Sequence, residues 1–344
     1  MYLKDECFLD KDEKCKVLII HWYHFFRCFL LLKNRNYVSS VQCYLCSSIN
    51  MGRKQNFFNK KTLPYSMKCN YHTHSHFCDG KENMRFFVEK AVELKFDHLG
   101  FSSHAPISQQ YDFTLTEEKI PNYLKEIEHY QEKYPQIRIF KGLECDYIPT
   151  ITQDFSYYKN KFKLDYIIGG VHLIKVPNSN ELWFIDGPKK ETYDEGISQF
   201  FHNDVQKAVT CFWEQTFEMI ETQQFDIIAH IDKIKMHNQD RFFTEDEEWY
   251  RRLVDHVIEL IIKKQLIVEI NSRGIYRQRC KNFYPSDYII EKLAKAKTLM
   301  VISNDTHRAE ELTLYYDESK KKLQDFGIET LALFKDGKWE SINI

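Results

Sequence analysis

Nine residues able to ligate divalent metal ions follow short apolar runs along this chain: His72 and His74, Asp79, His104, Glu144, His172, His230, and Asp305 with His307. A histidine at such a position is, taken singly, more often a hydrogen-bonded structural residue than a ligand. Gathered into one cleft without a metal, however, these groups would suffer costly desolvation and repulsion among their carboxylates. Divalent cations remove that cost, because neutral imidazole nitrogens and anionic oxygens are their natural ligands. In His72-Thr73-His74 the two imidazoles share a side if the segment is extended, since strand residues alternate faces. Asp305-Thr306-His307 repeats the spacing, and Asp79 in HTHSHFCDG is near enough for a loop to fold it back. Glu144, read as the lone carboxylate at the end of its run, could bridge two ions with its two oxygens. Nine ligands exceed the four that one zinc takes and fit two or three ions of mixed N/O coordination; Zn, Mn and Fe all accept them.

Such a cluster favours hydrolysis. Neighbouring divalent ions activate a water, hold phosphoryl oxygens and stabilise a leaving alkoxide. The chain has no G-x-x-x-x-G-K-[ST] and no G-x-S-x-G, so neither a P-loop nor a serine nucleophile competes for the role. Phosphate needs further charge, which arginine supplies through bidentate hydrogen bonds. Arg277 and Arg279 are the candidates, against the plainer reading of a solvated basic loop.

The elements that must position these groups are legible as alternating patterns. Strands are expected at 68–71, 98–102, 137–143, 166–171, 226–229, 266–270 and 299–303, and helices at 83–94, 116–134, 197–222, 244–264 and 286–296. The helix at 244 has a stated start signal: Thr244 as cap, an acidic first turn, then Trp249, Leu253, Val257 and Leu260 on one stripe. Seven βα units predict a distorted (β/α)7 TIM-like barrel, short of the usual eight. In barrels of this kind chemistry sits at the carboxyl ends of the strands, where the candidate ligands fall.

Composition sets outer limits. Of 344 residues, 43% are hydrophobic and 28% charged, with a net charge of −2, which suits a globular protein and gives no global attraction to nucleic acid or an anionic membrane. The ten cysteines are dispersed, and Cys43-x-x-Cys46 lacks the second half of a zinc site, so reduced thiols in the cytoplasm are expected. Residues 1–66 differ from the rest. Their apolar run at 17–32 is interrupted by His21, His24 and Arg27 and is short for a membrane span, which takes roughly 20 apolar residues. Three readings compete: a mis-assigned start with Met67 as the true one, which is favoured, a poorly ordered extension, and an anchor or targeting segment. The catalytic domain is assigned to 67–344.

Seven motifs, HTHSHFCDG, SSHAPI, GLECDYIP, DYIIGGVHLI, IIAHIDKI, VEINSRGIYR and SNDTH, together resemble the polymerase and histidinol phosphatase (PHP) superfamily, and within it the PHP-type histidinol-phosphatases. The resemblance covers about residue 68 to the C-terminus. It implies that His72, His74, Asp79, His104, Glu144, His172, His230, Asp305 and His307 hold two or three divalent ions, and that L-histidinol phosphate is hydrolysed to L-histidinol and phosphate in histidine biosynthesis. Glu144, Asp305 and Asp79 are the catalytic candidates, with the proton for the leaving alkoxide coming from Asp305, Asp79 or metal-held water. Where relatives carry a small residue before the glycine of E-x-N-[ST]-x-G, this chain has Arg273, read as pointing to solvent. Asp186 is a candidate for the cationic end of the substrate. Small phosphate esters are the expected partners, with no nucleic acid and no membrane. The alternatives are a phosphoesterase of the same fold acting on another ester or a nucleotide, and a silent scaffold stapled by metal.

Overall fold

The computed structural model describes residues 67–108 and 111–344; the segment 1–66, with its apolar run, lies outside the described residues. In chain order the elements begin with β1 (Cys69–Asn70), α1 (Met84–Glu93), β2 (His98–Phe101), α2 (Ile120–Lys133), β3 (Arg138–Asp146), α3 (Phe155–Phe162) and β4 (Tyr166–Gly170). A short hairpin, β5 (Leu173–Lys175) and β6 (Leu182–Phe184), precedes α4 (Lys190–Phe201), α5 (Val205–Thr222) and β7 (Ile227–Ile228). The rest comprises α6 (Glu248–Lys264), β8 (Ile267–Asn271), the single turn α7 (Arg273–Tyr276), α8 (Asp287–Lys295), β9 (Met300–Ser303), α9 (Tyr316–Asp325), and a second hairpin, β10 (Thr330–Lys335) and β11 (Lys338–Asn343).

Seven strands form one parallel sheet in the order β1-β2-β3-β4-β7-β8-β9. The sheet closes on itself just past its strand ends: Thr73 bridges Thr306, with His74 N–H donating to Thr306 O at 2.8 Å and Thr306 N–H to His72 O at 3.0 Å. The expected seven-stranded, TIM-like barrel is therefore what the chain forms. Because the closing rungs belong to His72–His74 and Asp305–His307, barrel closure and assembly of the ligand set are one event.

Apolar residues explain why the elements hold. α6 buries Tyr250, Val254, Val257, Ile258, Leu260 and Ile261 on one stripe, each side chain contributing roughly 1.5–3 kcal/mol of burial as an upper estimate. A second cluster fills the barrel interior, from Tyr71, Tyr166 and Ile168 to Ala332, Leu333 and Phe334 of the terminal hairpin. Trp339 packs edge-on against Tyr71 at 4.9 Å, and Phe334 N–H donates to the Tyr71 hydroxyl at 2.9 Å. The hairpin so fills one end of the barrel while the polar residues occupy the other.

Two expectations need correcting. The helix expected at 197–222 is two helices, because His202 and Asn203 take left-handed backbone (φ 53° and 65°) and Asp204 then caps α5 through Lys207 N–H. Thr244 does not cap α6, which starts at Glu248; instead the Glu247 carboxylate accepts the Thr244 N–H at 2.8 Å and the Trp249 indole N–H at 2.5 Å. Both hairpins, α3, α7 and α9 went unforeseen.

Candidate metal centre and substrate cavity

Glu144 lies near the end of β3, and both of its oxygens face imidazoles. Oε2 is 3.1 Å from His72 Nε2, 3.4 Å from His74 Nε2 and 3.2 Å from His104 Nδ1. Oε1 is 3.0 Å from His230 Nε2 and 3.5 Å from His172 Nε2. Asp305 Oδ1 faces His74 Nε2 at 3.3 Å and His307 Nδ1 at 3.4 Å, while Asp79 Oδ2 meets His307 Nε2 at 2.9 Å. All nine expected ligands thus converge at the carboxyl ends of the strands.

Local backbone makes this possible. His230 and Asp305 both sit at positive φ (27° and 48°), unusual for residues with a side chain and characteristic of functional sites. Gly80 lets the Asp79 loop fold back: a Cβ there would lie 2.4 Å from Ser75 N, which no side chain tolerates. At Gly170 a Cβ would crowd His230 at 3.2 Å and His172 at 3.3 Å.

The donor set fits metal ions. His72 Nε2, His74 Nε2, Asp79 Oδ1, His104 Nδ1 and Glu144 Oε2 are buried without a hydrogen-bond partner, a costly state for polar atoms and one that coordination would relieve. Four overlapping triads have ligand atoms within 4.8 Å of one another: His72, His74 and Asp305; His72, Glu144 and His230; His74, Asp79 and His307; His74, His104 and Glu144. Without metal, burial would raise the Glu144 carboxyl, but His72, His104 and His172 outweigh it and hold it well below the usual range. Burial would lower His72, yet Glu269, Glu144 and Asp305 raise it well above an ordinary histidine. Burial instead dominates at His104 and His230, pushing each down to about 4.

Supporting carboxylates that sequence reasoning passed over orient these ligands. Glu269 Oε1 lies 2.5 Å from His72 Nδ1, which turns Nε2 toward the cluster, and its Oε2 accepts the His230 and Asn271 amide protons. Glu144 is not the lone carboxylate of its strand. β3 runs on to Asp146, whose Oδ1 accepts the His172 N–H at 2.9 Å. The available signal was an acidic residue within an apolar strand, as in LIVEI and GLECD.

A cavity of about 610 Å³ opens on the cluster, lined by Asp79, Glu144, Asp305 and His307 and also by the cations Lys233, Arg273, Arg277 and Arg279. Arg273 does not point to solvent: its Nη1 donates to Asp305 O at 2.7 Å and its Nε is 3.8 Å from Asp305 Oδ2. The long side chain reaches across the turn because its charge is matched there by Asp305 and Glu311. Arg277 is about half exposed on the same wall, and burial together with Arg273 and Arg277 pushes the Arg279 guanidinium below its ordinary range. Lys233, also missed, is buried with its ammonium 2.9 Å from Asp186 Oδ2 and 3.7 Å from Asp305 Oδ2. It follows His230 by one helical turn, a spacing that IIAHIDKI displays. Asp186 lines the cavity as well.

The family model for the PHP domain matches residues 70–273, more than half of the chain. The chain belongs to the PHP family. The histidinol-phosphatase of Bacillus subtilis is 22% identical to this PHP protein, over 72% of this chain and 96% of its own length. A Listeria monocytogenes structure assigned as a histidinol phosphatase superposes with a TM-score of 0.65 at 23% identity, covering 73% of this chain and 99% of the other. The Lactococcus lactis histidinol phosphate phosphatase, solved with zinc, L-histidinol and phosphate, gives 0.55 at 20% identity, covering 79% and 98%. These likenesses show a shared barrel. None of the described helices of this PHP protein is long and apolar enough to cross a membrane, and Cys69, Cys78, Cys145, Cys211 and Cys280 are free thiols.

Proposed function

We propose that this PHP protein is a cytoplasmic, metal-dependent phosphomonoesterase of histidine biosynthesis that hydrolyses L-histidinol phosphate to L-histidinol and phosphate, a reading supported by relatives named as histidinol-phosphatases. One observation carries the reading. Nine histidines and carboxylates converge, with unpartnered buried atoms on His72, His74, Asp79, His104 and Glu144, beside a cavity also lined by Lys233, Arg273, Arg277 and Arg279. Two or three divalent ions held by His72, His74, Asp79, His104, Glu144, His172, His230, Asp305 and His307 would supply Lewis acidity and an activated water.

The chain's own groups do the rest. Lys233, Arg277 and Arg279 bind the phosphoryl oxygens and offset charge that grows as the ester bond breaks, and Arg273 joins them from the Asp305 side. Glu144 turns its two oxygens to different sets of imidazoles and would fix the spacing of ions held by both. Burial would raise Asp305, but Arg273, His72 and Lys233 hold it well below the usual range; at Asp79 the His307 contact has the same effect against burial. Both aspartates therefore act as anionic ligands rather than acids. The alkoxide's proton comes from solvent at the cavity mouth. Asp186 takes the cationic end of the substrate.

Two variants test the assignment of the ends. Arg277→Ala should raise KM for every phosphate ester by a similar factor, because a phosphate contact is blind to the remainder of the molecule. Asp186→Asn should remove the preference for histidinol phosphate over an uncharged ester. A wild-type enzyme with no such preference would leave a phosphoesterase with a different substrate.

A further inference from the structure

The β5–β6 hairpin, inserted between barrel strands β4 and β7, sorts its side chains to two different places. Trp183 turns to the main core, 5.0 Å from Tyr193 and 5.4 Å from Phe201. Its neighbours Leu182 and Phe184 turn the other way, into a small separate apolar cluster built on Ile107, Ile148 and Leu173. That cluster includes Tyr111 and Phe113 and touches the cavity: Tyr111, Phe113 and Phe184 all line it. Phe113 and Phe184 lie nearly parallel, with centroids 5.5 Å apart and planes at 19°, and Phe113 stands edge-on to His104 at 5.2 Å. A stacked aromatic pair therefore borders a cavity that is otherwise strongly charged. Neither the metal ligands nor the phosphate-facing cations make use of it.

Two residues beyond Phe184 in the chain stands Asp186. Its Oδ2 is engaged by Lys233, but its Oδ1 is buried without a hydrogen-bond partner, and the side chain is only 7% exposed. Its ion pair with the Lys233 ammonium marks the group as an anion, and it keeps an unused acceptor on the cavity wall. An unmet acceptor of this kind is costly unless a donor arrives from the ligand. One stretch of five residues, 182–186, thus presents an aromatic face and an anionic acceptor side by side.

We infer that the β5–β6 hairpin selects the leaving group, with Phe184 and Phe113 packing against a planar ring while Asp186 receives a positively charged donor from the same group. The substrate class is a phosphate monoester of a short alcohol that carries both a planar ring and a protonatable nitrogen. This rests on the phosphatase reading above and adds the ring as a separate determinant. A ring pressed on an aromatic wall gains about 0.5–1.5 kcal/mol beyond the area it buries, which corresponds to as much as about tenfold in kcat/KM. Nucleoside monophosphates, which offer a ring without the cation, would meet the wall but not the acceptor.

The test compares kcat/KM for L-histidinol phosphate, p-nitrophenyl phosphate and O-phosphoethanolamine in the metal-loaded full chain and in Phe184→Leu. The two ring-bearing esters should each lose about tenfold relative to the ringless amine ester. A ratio of ring-bearing to ringless ester unchanged within twofold would overturn the inference, whether both rates fall together or neither does. Asp186→Asn should act on a different ratio, lowering L-histidinol phosphate and O-phosphoethanolamine relative to p-nitrophenyl phosphate. If wild-type enzyme fails to prefer L-histidinol phosphate, the substrate reading falls while the ring ratio, read from p-nitrophenyl phosphate, still decides the hairpin's role.

Discussion

Glu144 is the residue on which most of the site converges, since five imidazoles lie within 3.5 Å of its carboxylate. Glu144→Gln replaces one carboxylate oxygen with an amide nitrogen, a poor metal ligand. Turnover should fall at least about 100-fold while far-UV circular dichroism stays unchanged, and bound metal per chain should drop in parallel. Near wild-type turnover with metals loaded would remove the bridging role. At this scale the nine residues that converge were legible because eight stand at the ends of apolar runs and Asp79 follows His74 by five residues, so position and chemistry coincided. Arg273, Lys233 and Glu269 were not, because a charged residue in a short segment looks alike whether it faces solvent or a buried partner. Only the distances decide: Arg273 is tied to the Asp305 carbonyl, and Glu269 to His72.

Between elements, the single turn α7 and the loop after β9 act as one device. The Tyr276 hydroxyl donates to Asn304 O at 2.7 Å, Arg273 to Asp305 O, and Glu311 accepts the His307 and Arg308 N–H groups at 2.8 and 3.1 Å. Glu311 also lies within ion-pair reach of Arg273 and Arg277, which joins these cavity-lining arginines to the turn carrying Asp305 and His307. Glu311→Ala should therefore weaken metal binding by about tenfold or more, read by chelator competition, with little change in secondary structure. Unaltered metal affinity would mean that the turn holds itself. Such a strap is invisible to periodicity: α7 has one turn, and Glu311 belongs to a 3₁₀ segment. The barrel strands, in contrast, were placed within a few residues, because buried parallel strands are short apolar runs bounded by turns. The long α4–α5 pattern was misjudged as one helix since its apolar spacing continues across a break set by backbone conformation.

For the molecule as a whole, every barrel strand and every proposed ligand lies between Cys69 and His307, and the hairpin that fills one end of the barrel closes at Asn343. A chain of residues 67–344 should accordingly fold, bind metal and keep its phosphatase activity. An insoluble or inactive truncated protein, with metals supplied, would make residues 1–66 a part of the domain. Barrel closure through Thr73 and Thr306 places the ligands of both ends of the sheet in one cleft, so fold and site stand or fall together. The central claim is most directly tested by phosphate release from L-histidinol phosphate against glycerol phosphate, with and without a chelator, in the purified full chain. The account predicts higher kcat/KM for L-histidinol phosphate, abolished by chelation and restored by a divalent metal; equal rates on both esters, or activity indifferent to metal, would contradict it.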